Sequence, residues 1–223
     1  MATGRRGGTN GYIAEFNGTT WSQVAHLTIF RSVPGPYVSC ASSTFCVEAD
    51  QSRVRTFNGS TWLKPVHLGM SVRTISCPTT KFCAVVGGSF QDQVATFNGS
   101  TWSTTTVKGP NNFSRFLIWV SCPSATFCLA IDSSGKFTTY NGSSWAPLAP
   151  VNVNEAEFLP LSCASSTFCA LADNKGGVAT FDGTSWSAPI KVDRAPTRFV
   201  EPSLSCVSRS FCALVDNTGK AMW

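Results

Sequence analysis

Charge is what this sequence is shortest of. Only 13% of its 223 residues are Asp, Glu, Lys or Arg, against roughly 25% in an average protein. The net charge is +5, but the basic residues are scattered. No Lys/Arg run interleaved with aromatics occurs, which argues against a nucleic-acid partner. No apolar stretch approaches the roughly 20 residues of a membrane span, so no membrane insertion is expected. The opening MATGRRGGTNG lacks the apolar core of a secretory signal. Residues 1–10 are read as a flexible N-terminal arm, and 11–223 as one domain. Histidine is nearly missing: only His26 and His67 occur, in different copies of one outer region. No Ser/His/Asp arrangement can be assembled around them. No segment keeps a helical period either.

What the sequence has is a repeat. SCASSTFC starts at Ser39 and again at Ser162, SCPTTKFC at Ser76, SCPSATFC at Ser121 and SCVSRSFC at Ser205. A second motif alternates with the first: FNGTTW from Phe16, FNGSTW from Phe57 and Phe97, YNGSSW from Tyr140 and FDGTSW from Phe181. Self-similarity at a fixed period means stacked supersecondary units. No unit of this size buries a core alone, so the copies form one domain.

One copy reads as four short extended segments. In the third, 116–122 is apolar and β-branched, and 123–125 turns the chain. A second segment covers 127–131, and 132–135 turns again. The third, 136–140, alternates like a half-buried strand. Asn141-Gly142 reads as a two-residue hairpin turn with both residues at positive φ. A fourth segment, 143–147, surrounds Trp145. Five such units predict an all-β fold, a five-bladed β-propeller with four-stranded antiparallel blades. Trp21, Trp62, Trp102, Trp145 and Trp186 recur at steps of 41, 40, 43 and 41 residues, as identical blades require. The last copy holds its first two strands and the start of a third at 220–223. The chain begins with a third strand at 12–16. The last blade is therefore expected to join both termini, with the N-terminal segment as its third strand and 220–223 displaced.

Ten cysteines form five pairs: Cys40/Cys46, Cys77/Cys83, Cys122/Cys128, Cys163/Cys169 and Cys206/Cys212. Zinc sites want four ligands, with cysteines two to four residues apart, and neither His lies near a pair. Disulfides need Cα atoms about 5.5 Å apart, which a tight hairpin supplies. The spacing favours five local disulfides, and with them an oxidising, extracellular location. Each closes a small loop, so its main use is to fix hairpin register rather than to remove chain entropy.

The pattern of SC-P/A-S-x-x-FC followed by FNGSTW resembles repeats of secreted proteins of Actinobacteria and related soil bacteria. The Gly-Ser-Thr-Trp of 59–62 and 99–102 is also similar to the end of the Asp-box hairpin of sialidase-type propellers. There the Asp and Gly are separated by one residue, whereas Asn58 and Gly59 are adjacent. The blade number is similar to that of five-bladed lectins of the tachylectin type, whose motif is absent. These resemblances imply the fold and secretion, and little about a ligand.

The recurring residues read as scaffold. Trp and Phe at the same place in every copy pack between blades rather than stack on sugars. Asn17, Asn58, Asn98 and Asn141 sit in sequons, but Asp182-Gly183 keeps the turn and breaks the sequon. Asp132, Asp173 and Asp216, each three residues before a Gly, read as type I turns rather than calcium ligands. Connections 22–37, 63–74, 103–119, 146–160 and 187–203 vary, and binding residues favour loops held by a rigid scaffold. Candidate ligand-binding residues on these connections are Tyr37, Arg73, Asn112, Phe113, Arg115 and Trp119. Glu155 and Arg198 complete the set.

The first functional expectation is a secreted carbohydrate-binding, lectin-like module. The alternative is a structural or protein-interaction propeller of a larger secreted protein. A glycoside-active enzyme would use Glu155, Glu157, Asp193 or Glu201, but the expectation is a non-enzyme. No cofactor or metal is expected, and the partners are glycans or a cell-surface protein.

Overall fold

A computed structural model of the chain describes residues 1–5, 10–28, 36–109, 116–151, 160–173, 175–192, 203–215 and 221–222. The described elements are all strands. The first sheet contains β1 (Ala2–Arg5), β2 (Asn10–Phe16) and β3 (Trp21–Thr28). The second contains β4 (Tyr37–Ser42), β5 (Phe45–Asp50), β6 (Arg53–Phe57) and β7 (Val66–His67). The third contains β8 (Val72–Thr79), β9 (Phe82–Gly87), β10 (Gln93–Phe97) and β11 (Trp102–Thr106). The fourth contains β12 (Leu117–Ser124), β13 (Phe127–Asp132), β14 (Lys136–Tyr140) and β15 (Ala149–Pro150). The fifth contains β16 (Leu161–Ser165), β17 (Phe168–Ala172), β18 (Gly177–Phe181) and β19 (Ile190–Lys191). The sixth contains β20 (Ser203–Ser208), β21 (Phe211–Val215) and β22 (Ala221–Met222). Each sheet is an antiparallel meander of neighbours in sequence.

The sheets stand side by side, with the first strands innermost. β4 abuts β8, β8 abuts β12, β12 abuts β16 and β16 abuts β20. Core residues fill the gaps between consecutive sheets. Along β5, Val47 and Ala49 face the third sheet and pack against Cys83 and Val85. Ala84 and Val86, on the opposite side of β9, pack with Leu117, Val120 and Cys128 of the fourth sheet. Leu129 and Ile131 meet Leu161, Cys169 and Leu171 in the same way. The period-two alternation of each second strand thus feeds two cores, one on each face.

Two expectations are corrected. The outer strand does not consistently surround the repeated Trp: the fourth segment expected at 143–147 is replaced by β15. Trp62, Trp145 and Trp186 form isolated bridges to Phe57, Tyr140 and Phe181, and β7, β15 and β19 each begin four residues later. Pro65, Pro147 and Pro189 follow those three Trp, and proline cannot donate to a ladder. Trp102 and Trp21 have no proline close behind them and open continuous strands. The composite last sheet is not formed either. β22 takes the third place, pairing Ala221 with Val215 and Met222 with Leu214. β2 lies between β1 and β3, with Ala2 opposite Ala14 and Thr3 opposite Ile13. Ala2–Arg5, read from sequence as an arm, therefore supplies a strand. Two segments compete for each edge, and in each case the one nearer in sequence holds it.

Candidate interaction face

The five disulfides join the expected pairs: Cys40–Cys46, Cys77–Cys83, Cys122–Cys128, Cys163–Cys169 and Cys206–Cys212. Their Cα–Cα separations are 3.9–4.1 Å. This corrects the 5.5 Å expected from sequence and marks a non-hydrogen-bonded cross-strand pair. Cys40 lies opposite Cys46, Cys163 opposite Cys169 and Cys206 opposite Cys212 in the strand register.

Identical in spacing, the pairs differ in exposure. Cys46, Cys83, Cys128 and Cys169 are buried, whereas Cys212 is half-buried and packs on Phe168 and Ala170 of the fifth sheet. Cys77, Cys122, Cys163 and Cys206 are buried too, and Cys40 is exposed.

In such a pair the first Cys turns its N–H away from its own hairpin, out of the sheet's inner edge. A serine of the preceding sheet accepts it there. Cys77 N–H donates to Ser39 Oγ (2.9 Å), Cys122 to Ser76 (3.0 Å), Cys163 to Ser121 (2.9 Å) and Cys206 to Ser162 (2.9 Å). The recurring Ser-Cys dipeptide is thus a stitch between sheets: the Cys clips its hairpin and the Ser holds the next. The signal was in the sequence, because Ser precedes the first Cys in every copy.

The Asn-Gly turns and the Cys hairpin turns lie at one end of the sheets. A Cβ on Gly142 would lie 3.5 Å from Thr126, and one on Gly183 3.3 Å from Thr167. The turns are not the two-residue type expected. Positive φ is confined to the glycine, as at Gly142 (95°), and the loop spans four residues. Asn58 Oδ1 accepts the N–H groups of Ser60 (3.0 Å) and Thr61 (2.9 Å). Asn98, Asn141 and Asp182 repeat this Asx geometry. Asp182 is held well below the usual carboxylate range by the N–H groups of Ser185 and Thr184, then by the Thr184 hydroxyl.

At the opposite end lie the starts of the first strands and the Asp turns. Asp132 Oδ1 accepts Ser134 N–H (2.7 Å) and Lys136 N–H (2.8 Å), and Gly135 N–H closes the turn on Asp132 O (3.3 Å). Asp173 serves Lys175 and Gly177 likewise. Asp50 pairs with Arg53 at 3.0 Å. Asp216 lies outside the described residues.

Arg73 also lies at this end, at the register shift between Val72 and Thr74. Its Cζ stands 4.1 Å from the Phe116 ring centroid. Burial lowers its pKa, the nearby Tyr37 hydroxyl opposes that shift, and its buried Nε has no hydrogen-bond partner. Tyr37 starts β4 in the neighbouring sheet. The structure therefore groups Tyr37, Arg73 and Phe116. Trp119 packs into the core between the fourth and fifth sheets, as a wall residue. Asn112, Phe113, Arg115, Glu155 and Arg198 lie outside the described residues, as do Glu157, Asp193 and Glu201.

Sequence reasoning missed Phe116 and Glu48. Glu48 is 1% exposed, and its Oε1 has no hydrogen-bond partner. Desolvation, followed by repulsion from Asp50, pushes its pKa up to about 8. The signal was visible, since the other copies place Val85, Ala130, Leu171 and Leu214 there.

No protein-family model and no curated protein sequence matches the chain. Solved structures do match in fold. U3-55K superposes with a TM-score of 0.69 at 12% identity, over 93% of this chain and 67% of that one. The WD40 repeats of RRP9 give 0.67 at 11% identity, over 87% and 63%. The Pan2 WD40 domain of Neurospora crassa gives 0.64 at 10% identity, over 96% and 68%. The chain spans about two thirds of each. Its architecture is that of a β-propeller, built from disulfide-bonded repeats.

Proposed function

We propose that this protein is an interaction module of an extracellular assembly, binding a protein partner through the end of the propeller that carries Tyr37, Arg73 and Phe116. Arg73 is the observation that carries this reading. Its guanidinium is held over an aromatic ring, its Nε is shielded from water without a hydrogen-bond partner, and no ion pair to it is formed among the described residues. A half-buried arginine already held over an aromatic ring is preorganised, and arginines and aromatics are enriched among interface anchors. The five disulfides support an oxidising location. Asp50, Asp132 and Asp173 are engaged within their own turns, which supports binding rather than catalysis.

The glycan reading has less support, since the repeated Trp rings pack on their own Phe or Tyr at 5.2–5.5 Å. The test is to screen the oxidised chain in parallel on an array of extracellular proteins and an array of glycans, then repeat with Arg73→Ala. Protein hits that lose more than about tenfold in affinity with the variant are expected. Glycan hits that the variant leaves intact would overturn the proposal.

A further inference from the structure

Each junction between two four-stranded sheets follows one aromatic rule. The Phe that opens a second strand lies against the ring that closes the third strand of the next sheet. Phe45 meets Phe97 at 6.2 Å, Phe82 meets Tyr140 at 5.3 Å, and Phe127 meets Phe181 at 6.5 Å. The receiving ring also carries its own sheet's Trp, as in Phe97–Trp102. Each junction therefore has a presenting half and a receiving half.

Among the described residues, the two outermost sheets each hold one half without its complement. In the first sheet, Phe16 and Trp21 form the receiving pair at 5.3 Å, and they are 48% and 59% exposed. In the sixth, Phe211 is the presenting ring and is 52% exposed, whereas its counterparts Phe82 and Phe168 are 8% exposed. Val215 is bare beside it, although its counterparts Val86 and Ala172 are buried. Ser205 is exposed too, while Ser39, Ser76, Ser121 and Ser162 are half-buried at their stitches. Both sheets are already complete enough to dock, because β1 flanks β2 and β22 flanks β21.

We propose that the sixth sheet of one copy docks on the first sheet of a second copy, placing Phe211 against Phe16 and Trp21. The contact continues an interface that the chain already builds between its own sheets. A second copy is the fitting occupant because it offers the missing half in the same geometry, and the chain's own ends leave both halves uncovered. Such a contact is head-to-tail: each copy keeps one free half, so assembly proceeds until a ring closes.

Light scattering across a concentration series tests it, with Phe211→Ser and Phe16→Ser as the variants. Both sites are exposed, and unchanged urea midpoints confirm that the variants fold. The wild-type chain is expected to move from 23.8 kDa to multiples of that mass as concentration rises. Each variant alone loses more than about tenfold in association. Mixed together, the two variants form a 1:1 dimer and nothing larger, since each retains one intact half. A single mass of 23.8 kDa at every concentration overturns the proposal, whether the ends stay bare or close on each other within one chain. Association that both variants leave unchanged overturns it equally. Neither variant touches Arg73, so partner binding is scored separately.

Discussion

Ser76 Oγ accepts the backbone N–H of Cys122 at 3.0 Å, joining two sheets across 46 residues of sequence. The bond satisfies an inner-edge donor that would otherwise be stranded next to a disulfide. Replacing Ser76 with Ala leaves that N–H without a partner and should cost about 1–3 kcal/mol. Ser121→Ala and Ser162→Ala should behave alike, and Ser205→Ala should stay within about 0.5 kcal/mol. Urea denaturation of the four variants checks the contrast.

Glu48 makes stability depend on pH. Its pKa rises from an ordinary 4.5 to about 8 on folding, so between those values the native state holds a proton that the unfolded chain releases. Stability from this group is full below pH 4.5 and is lost as pH rises through about 8. Glu48→Gln should be more stable than wild type at pH 8–9 and should flatten the curve over that range. Thermal denaturation from pH 4 to 9 checks it.

Asp182 acts in the opposite direction. Its folded pKa is depressed by the N–H groups of Ser185 and Thr184, so its contribution is present above the ordinary value of 3.8 and is lost as pH falls through the folded value. Asp182→Asn restores the residue found in the other four turns and should fold with the same loop while losing that acid sensitivity. Denaturation from pH 5 to 2 compares the two.

Gly142 has φ of 95°, and a Cβ there would lie 3.5 Å from Thr126. Space is therefore adequate and the backbone is the obstacle. Gly142→Ala should cost about 1–2 kcal/mol, and Gly142→Asn less, because Asn tolerates this region best after glycine. Urea midpoints for both variants decide it.

The repeat unit was legible because its signals are local: six-residue Cys spacing, Asn-Gly turns and alternating strands. The disulfides, the meanders and the scaffold role of Trp62, Trp102, Trp145 and Trp186 follow from those signals. The uneven burial of the pairs was not legible. Cys46 and Cys212 hold the same place in the repeat, but Cys46 is buried and Cys212 half-buried. Burial depends on what lies beside a sheet, which the repeat does not encode. Pro65, Pro147 and Pro189 mark the delayed outer strands, a local signal that the regular Trp spacing does not carry. The ends were not legible either. Residues 12–16 and 220–223 both fit a third strand, and β1, which carries no copy of the repeat, takes the place beside β2, so periodicity cannot say which segment holds which edge. Arg73 is legible only as a residue of the variable connection 63–74. Its aromatic partner Phe116 belongs to another sheet, and nothing local pairs them.

Amide hydrogen exchange at the first Cys of each disulfide tests the Ser-Cys stitch most directly. The account predicts slow exchange at Cys77, Cys122, Cys163 and Cys206, and fast exchange at Cys40, which no serine of a preceding sheet reaches among the described residues. Cys40 exchanging as slowly as the other four, or all five exchanging fast, would contradict it.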